Sequence, residues 1–136
     1  IQWYQALIQL LKELLTQYPK LIVLGDFNVA PTNDDVYDPE IWQNRVLVSN
    51  KERNLWHQLL KLGLHDSFRL FPQESNRFSW WDYRHGAFYK NHGLRIDHLL
   101  ITQPLKQSCQ GSYIDKKIRA KTKPSDHAPV YIDLLN

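Results

Sequence analysis

An α/β fold is predicted by three observations. An amphipathic helix occupies the first 18 residues, a short apolar strand follows it directly, and strand-like segments recur through the second half of the chain. Trp3, Leu7, Leu10, Leu11, Leu14 and Leu15 return at three- and four-residue spacing, the stripe of a helix with one buried face, and Tyr18-Pro19 ends it. Leu21-Ile-Val-Leu24 is apolar on both faces, so it reads as a buried strand closed by Gly25. Residues 26–48 read as irregular, broken at Pro31 and Pro39. Ser49, three residues before Glu52, makes a capping box for a helix carrying Leu55, Trp56, Leu59, Leu60 and Leu62, with Gly63 as its stop. Residues 78–82 predict a strand, residues 83–93 a long connection with two glycines, and residues 94–102 a second strand. In that second strand Arg95 and Asp97 face one side, and Leu94, Ile96 and His98 the other. Residues 112–115 predict a short strand, and residues 128–134 alternate Val130, Ile132 and Leu134 to close the sheet. There is no repeat or linker, so residues 1–136 read as a single unit.

With 136 residues, 43% apolar and 23% charged, disordered and collagen-like chains are excluded. The single cysteine, Cys109, excludes a disulfide scaffold and a multi-cysteine zinc site, and it suits a reducing, cytoplasmic compartment. No apolar run is long enough to span a membrane, and no secretory leader is visible. The chain contains no Met and opens on Ile1, directly into a helical pattern, which points to a piece of a longer protein. Net charge is only +3, but it is unevenly spread. Asp34, Asp35, Asp38 and Glu40 form an acidic cluster, whereas residues 106–123 hold six basic residues against Asp115 alone. A basic half beside an acidic cluster suits a polyanionic substrate with a metal; a solvated surface is the plainer alternative.

Three polar sites fall at strand ends, where open α/β sheets place their chemistry. Gly25-Asp26-Phe27-Asn28 follows the first strand. A carboxylate there can exchange a proton or ligate a hard cation, and equally can close an Asx turn on its own backbone. Asp97 interrupts an apolar stretch and needs a partner, either Arg95 or another base. Ser125-Asp126-His127 precedes the last strand. Its imidazole can bond a phosphate or move a proton near neutral pH, with Asp97 the candidate to hold its tautomer. Between these sites, Phe78-Ser-Trp-Trp-Asp-Tyr-Arg84 interleaves aromatic rings with cations, a pattern suited to nucleic acid. Because neighbours on a strand face opposite ways, one of Trp80 and Trp81 belongs to the core.

Gly25-Asp-Phe-Asn-Val-Ala-Pro31, Phe78-Ser-Trp-Trp-Asp-Tyr-Arg84, Gly93-Leu-Arg-Ile-Asp-His98 and Lys123-Pro-Ser-Asp-His-Ala-Pro129 together resemble the exodeoxyribonuclease III family of DNA-repair nucleases. That family lies within the endonuclease/exonuclease/phosphatase superfamily. The resemblance covers the whole chain but only about the C-terminal half of the family's domain. It implies half of a four-layer αββα, DNase I-like sandwich with a mixed, mostly antiparallel sheet. It also implies a Mg²⁺-dependent hydrolase (Mn²⁺ as the alternative ion) that cuts duplex DNA at abasic sites and removes nucleotides from 3′ ends. By that resemblance Asp26 is the acid/base, Asn28 positions it, Asp97 orients His127, and His127 bonds the scissile phosphate. Asp126, with Asp26 and Asn28, sits at the metal. Trp80, Leu94 and Ile96 line an apolar slot for an abasic sugar, and Trp81 and Arg84 lie along the DNA face. The family's principal metal-ligating glutamate has no counterpart among Glu13, Glu40, Glu52 and Glu74. The alternatives are another phosphoesterase of the superfamily and a non-catalytic DNA-binding remnant. An N-terminal half is expected as the partner that completes the site and covers a sheet face left apolar around Leu21, Val23 and the last two strands.

Overall fold

Antiparallel pairing of two strands decides where the functional groups meet. β1 (Ile22–Asp26) lies beside β5 (Asp97–Thr102), with Ile22 opposite Ile101 and Asp26 opposite Asp97. β2 (Leu64–Asp66) pairs with the other edge of β5, giving the order β1-β5-β2. This computed structural model describes residues 2–135; Ile1, which carries the expectation of an incomplete start, lies outside the described residues. β2 was not expected, because Leu64-His65-Asp66 carries a single apolar residue and no alternation.

Two helices cover one face of this sheet. Tyr4, Ile8 and Leu11 of α1 (Gln2–Gln17) meet Leu55, Trp56 and Leu59 over Phe27, Leu64 and Leu100. The inward stripe of α1 is rotated from the expected one. Tyr4, Leu7, Ile8, Leu11 and Leu15 face the core, while Trp3 and Leu10 are exposed. The phenol of Tyr4 can be buried because its hydroxyl donates to the Phe27 carbonyl at 2.9 Å. After α2 (Pro39–Trp42), Leu55, Trp56 and Leu59 belong to α3 (Asn50–Leu60). Ser49 caps α3 as expected, its hydroxyl oxygen accepting from the Glu52 amide, and the Glu52 carboxylate returns to the Ser49 hydroxyl and the Leu47 amide. Gly63 ends the turn at φ +104°, a conformation that favours glycine.

The opposite face is covered only in part. β6 (Cys109–Ile114) and β7 (Val130–Leu134) pair antiparallel, and β7 packs near β5. Leu99 and Ile101 on β5 are buried, yet their cross-strand neighbours Leu24 and Ile22 are exposed, Leu24 by 63%. The reading of residues 21–24 as a strand buried on both sides is therefore corrected. The exposed apolar positions are Ile22 and Leu24; Val23 packs into the helical core. Strand period two makes this a one-residue shift of face.

The remaining elements build a small platform. β3 (Trp80–Trp81) pairs with β4 (Gly93–Leu94), and the connection between them contains a tight turn at Arg84–Gly86 and α4 (Ala87–Lys90). Gly93 sits so close to this partner that a Cβ would lie 2.6 Å from the Trp81 indole nitrogen. α5 (Gln103–Lys106) and α6 (Lys116–Arg119) are single turns. The expected strand over residues 94–102 breaks at Arg95-Ile96. There the Arg95 amide donates to the Asp35 carbonyl rather than to a strand partner.

A buried ion network fixes that break. Arg95 has almost no solvent access and donates to Asp35 at 2.7 Å and to Asp66 at 2.6 Å. Burial opposes ionisation of Asp35, but the Arg95 and Arg69 guanidiniums hold its carboxyl below the usual range. Asp35 is thus neither a metal ligand nor a solvated surface charge, and Asp38 caps α2 by accepting from the Ile41 amide, so the expected acidic cluster is dispersed. Arg95→Met leaves Asp66 without its cation and Asp35 with Arg69 alone, and should cost about 3–5 kcal/mol, read from the urea unfolding midpoint. Arg69→Ala, at the more exposed edge of the network, should cost about 1 kcal/mol or less in the same measurement.

Candidate active site

Three chain segments converge on one imidazole. β1 ends at Asp26, directly opposite Asp97 at the start of β5. The third segment arrives through backbone pairing: Trp80 bridges His127, the Trp81 amide donates to the Asp126 carbonyl, and the Ala128 amide donates to the Ser79 carbonyl. Ser79, fully buried, also accepts from the amides of Ile96 and Asp97 through its hydroxyl, at 3.0 and 3.1 Å. Sequence reasoning did not single out Ser79. Its only signal was a small polar residue inside an aromatic strand.

His127 Nδ1 lies 2.8 Å from the Asp97 carboxylate. Its Nε2 faces Asp26 at 3.8 Å and Asp126 at 3.9 Å. Asp97 therefore pairs with His127 and not with Arg95, which resolves the two readings left open by the sequence. The hydrogen bond that His127 donates to Asp97 raises the imidazole pKa above its ordinary value, and the charges of Asp97, Asp26 and Asp126 reinforce it. Asp26 is also raised, first by desolvation; the charges of Asp97 and Asp126 add to this, while the Asn28 amide opposes it. That amide donates to Asp26 at 2.9 Å, so the Asx turn is present, with Asn28 at φ +52°. The turn and the approach to His127 use different oxygens of Asp26: Oδ1 accepts from the Asn28 amide and Oδ2 faces the imidazole.

The side chains whose ligand atoms lie within 4.8 Å of one another are Asp26, Asp97 and His127. The expected metal trio was Asp26, Asn28 and Asp126. A metal takes an imidazole only as the neutral ring, the form that the neighbouring carboxylates disfavour. The oxygen donors of Asp26, Asn28 and Asp126 fit a hard divalent cation better. One oxygen of Asp126 is already held by the Trp80 indole N–H at 3.1 Å.

The aromatic assignments divide. Trp80 is half-buried beside Asp126, and Arg84 is exposed, paired to Asp82 at 2.7 Å. Trp81, expected on the DNA face, is 0% exposed and packs with Phe68, Phe78 and Ile114. Leu94 and Ile96, at 0% and 3%, join Ala30, Val36 and Val48 beneath Trp80 rather than opening into a slot. The open apolar concavity is thus corrected to a closed floor with Trp80 as its exposed edge. The break at Arg95 turns Leu94 and Ile96 into the core, where covering apolar surface is favoured.

Residues 1–127 match the model of the Endonuclease/Exonuclease/phosphatase family. The chain belongs to that family. It is similar to exodeoxyribonuclease III of Haemophilus influenzae, at 38% identity over 97% of this chain and 52% of that protein. It is similar also to an exodeoxyribonuclease of Bacillus subtilis, at 37% identity over 96% of this chain and 50% of the relative. Among solved structures, a 3′-5′ exonuclease of Neisseria meningitidis superposes with a TM-score of 0.95 at 41% identity, covering 98% of this chain and 52% of the other. An AP endonuclease of Archaeoglobus fulgidus superposes with a TM-score of 0.90 at 33% identity, covering 98% and 52%. The fold is the one these nucleases share, and the chain spans about half the length of the relatives it matches.

The raised pKa of His127 has a stability consequence. Its ion pair with Asp97 contributes fully below the unfolded value near 6.5 and fades as pH rises through the higher folded value. Asp97→Asn should lower the His127 pKa and remove that pH-dependent increment. An NMR titration of the His127 ring measures the first effect, and urea midpoints taken on either side of pH 6.5 measure the second.

Proposed function

We propose that this chain is the part of a DNA-repair nuclease that supplies the acid/base and phosphate-binding groups for metal-assisted phosphodiester hydrolysis. The observation that carries the proposal is His127, held by Asp97 on one ring nitrogen and faced by Asp26 and Asp126 on the other. Asp26, with its affinity for a proton raised, accepts one from the attacking water as the water oxygen bonds phosphorus; the P–O bond to the 3′ oxygen breaks, and that oxygen takes a proton from solvent. His127 donates from Nε2 to a non-bridging oxygen of the scissile phosphate, and Asp97 holds the imidazolium in place. Asn28 fixes the approach of Asp26. Mg²⁺, or Mn²⁺, held by Asp26, Asn28 and Asp126, would neutralise phosphate charge when bound.

The substrate we assign is duplex DNA, cut at abasic sites and shortened from 3′ ends, with Trp80, Arg84 and His127 on the DNA side. A related structure, described as the 3′ phosphatase NExo from Neisseria, was solved with a product DNA hairpin, which favours removal of terminal 3′ phosphates as a second reading of the same site. The exposed Ile22 and Leu24 support an N-terminal half of the same domain as the partner that covers β1 and completes the metal site. The lone, buried Cys109 suits the cytoplasm as its compartment. Among the described residues no helix is long and apolar enough to cross a membrane.

The test is cleavage of an abasic duplex with Mg²⁺. Residues 1–136 alone should cut feebly, and the chain joined to the other half of the domain should cut well. In that complete protein His127→Ala should lower turnover by about a hundredfold or more while the circular dichroism spectrum is unchanged. Robust cleavage by residues 1–136 alone would defeat the assignment of an incomplete site. DNA binding without any cleavage by the complete protein would favour a non-catalytic remnant.

A further inference from the structure

A second recess lies beside the candidate active site, between residues 82–89 and residues 119–124, with a volume of about 330 Å³. Its innermost polar group is Arg119, which is only 6% exposed. The Arg119 guanidinium stacks over the rings of Phe88, Tyr83 and Trp81 at 4.8, 5.3 and 6.0 Å from their centroids. Nη2 donates to the Trp81 carbonyl at 3.3 Å, but Nε is buried with no hydrogen-bond partner among the described residues. A buried charged donor without an acceptor is costly, and a cation packed into aromatic rings offers no acceptor of its own. Lys121 and Lys123 line the rim, and Tyr83 and Tyr89 expose ring surface there. Asp82 is the one carboxylate in the lining, and it is already paired with Arg84.

The wall of this recess is continuous with the catalytic loop. Lys123 sits at φ +53°, Pro124 follows, and the Tyr83 hydroxyl donates to the Pro124 carbonyl at 2.8 Å. Ser125, Asp126 and His127 come next in the chain.

We infer that this recess is a nucleotide subsite, taking a phosphate on Arg119, Lys121 and Lys123 and a base against the exposed ring of Tyr83 or Tyr89. The chemistry is that of a phosphorylated nucleoside: a dianion or monoanion for three cations, and a flat ring for exposed aromatic faces. The inference rests on the nuclease reading, because its natural source is a nucleotide of the same DNA lying beyond the scissile phosphate. Seating that nucleotide braces residues 123 and 124, and so the loop that carries His127.

The probes are thymidine 5′-monophosphate, thymidine and inorganic phosphate, each titrated into the chain joined to the other half of its domain and followed by backbone amide NMR. The monophosphate should shift the amides of residues 83, 87 and 119–123, and the other two probes should bind about tenfold more weakly or worse. Lys121→Glu, an exposed position, should weaken the monophosphate by about tenfold while leaving the His127 ring titration unchanged. Equal binding of inorganic phosphate would overturn the nucleotide assignment in favour of a bare anion site. Shifts confined to residues 26–28, 97 and 126–127 would overturn the subsite altogether. Fluorescence anisotropy with a 12-base-pair duplex separates this failure from failure of the nuclease reading. In the joined protein, duplex binding that Lys121→Glu leaves unaltered overturns the subsite alone, and absence of duplex binding without the substitution overturns both.

Discussion

Arg95 carries a full positive charge into an interior that water does not reach, and the fold is arranged to answer it. Asp35, Asp66 and the ring of His98 close around the guanidinium. His98 contributes as a neutral base. Burial and the Arg95 charge push its pKa down to about 4, so Nδ1 accepts from Arg95 while Nε2–H donates to the Val29 carbonyl at 2.8 Å. One buried cation thus ties together the loop after β1, the end of β2 and the start of β5. Removing Arg95 would leave Asp66 without a cation, and Asp35 with Arg69 alone, where water cannot solvate them.

The consequence reaches the site directly. Asp26 and Asn28 begin the loop that His98 and Asp35 anchor at Val29 and at the 32–36 turn, and Asp97 follows Arg95 by two residues. Two of the three carboxylates that meet His127, Asp26 and Asp97, are therefore positioned from behind by a network that touches neither of them. Ser79 supplies the other support, since its hydroxyl accepts from the amides of Ile96 and Asp97 where the strand resumes. Rigid scaffolding of this kind lets a partly exposed imidazole keep a fixed proton on a fixed nitrogen.

Charge on this molecule is divided by depth. Asp35 and Asp66 are partners of the buried Arg95, and Asp26, Asp97 and Asp126 surround His127, whereas Lys121 and Lys123 stay exposed around the Arg119 recess. The aromatic residues divide similarly: Trp81 and Phe88 hold Arg119 and Lys116 from within, while Tyr83 and Tyr89 remain open.

Much of the site was legible in the sequence. Asp26, Asp97, Asp126 and His127 each stood out as polar groups at strand ends, and the motifs around them are short and ordered along the chain. The Ser49–Glu52 cap and the stop at Gly63 were legible for the same reason, being local chemistry within a few residues. What the sequence could not determine is which charges pair across long separations. Asp35 looked like part of an acidic surface until Arg95, 60 positions away, took it into the core. Leu94, Ile96 and Trp81 carried the right chemistry for a DNA face, but a strand break and close packing turned them inward. Hydrophobicity and period two specify that a residue has a buried face; only the tertiary structure decides what buries it, because that depends on which distant segment offers the complementary charge or surface.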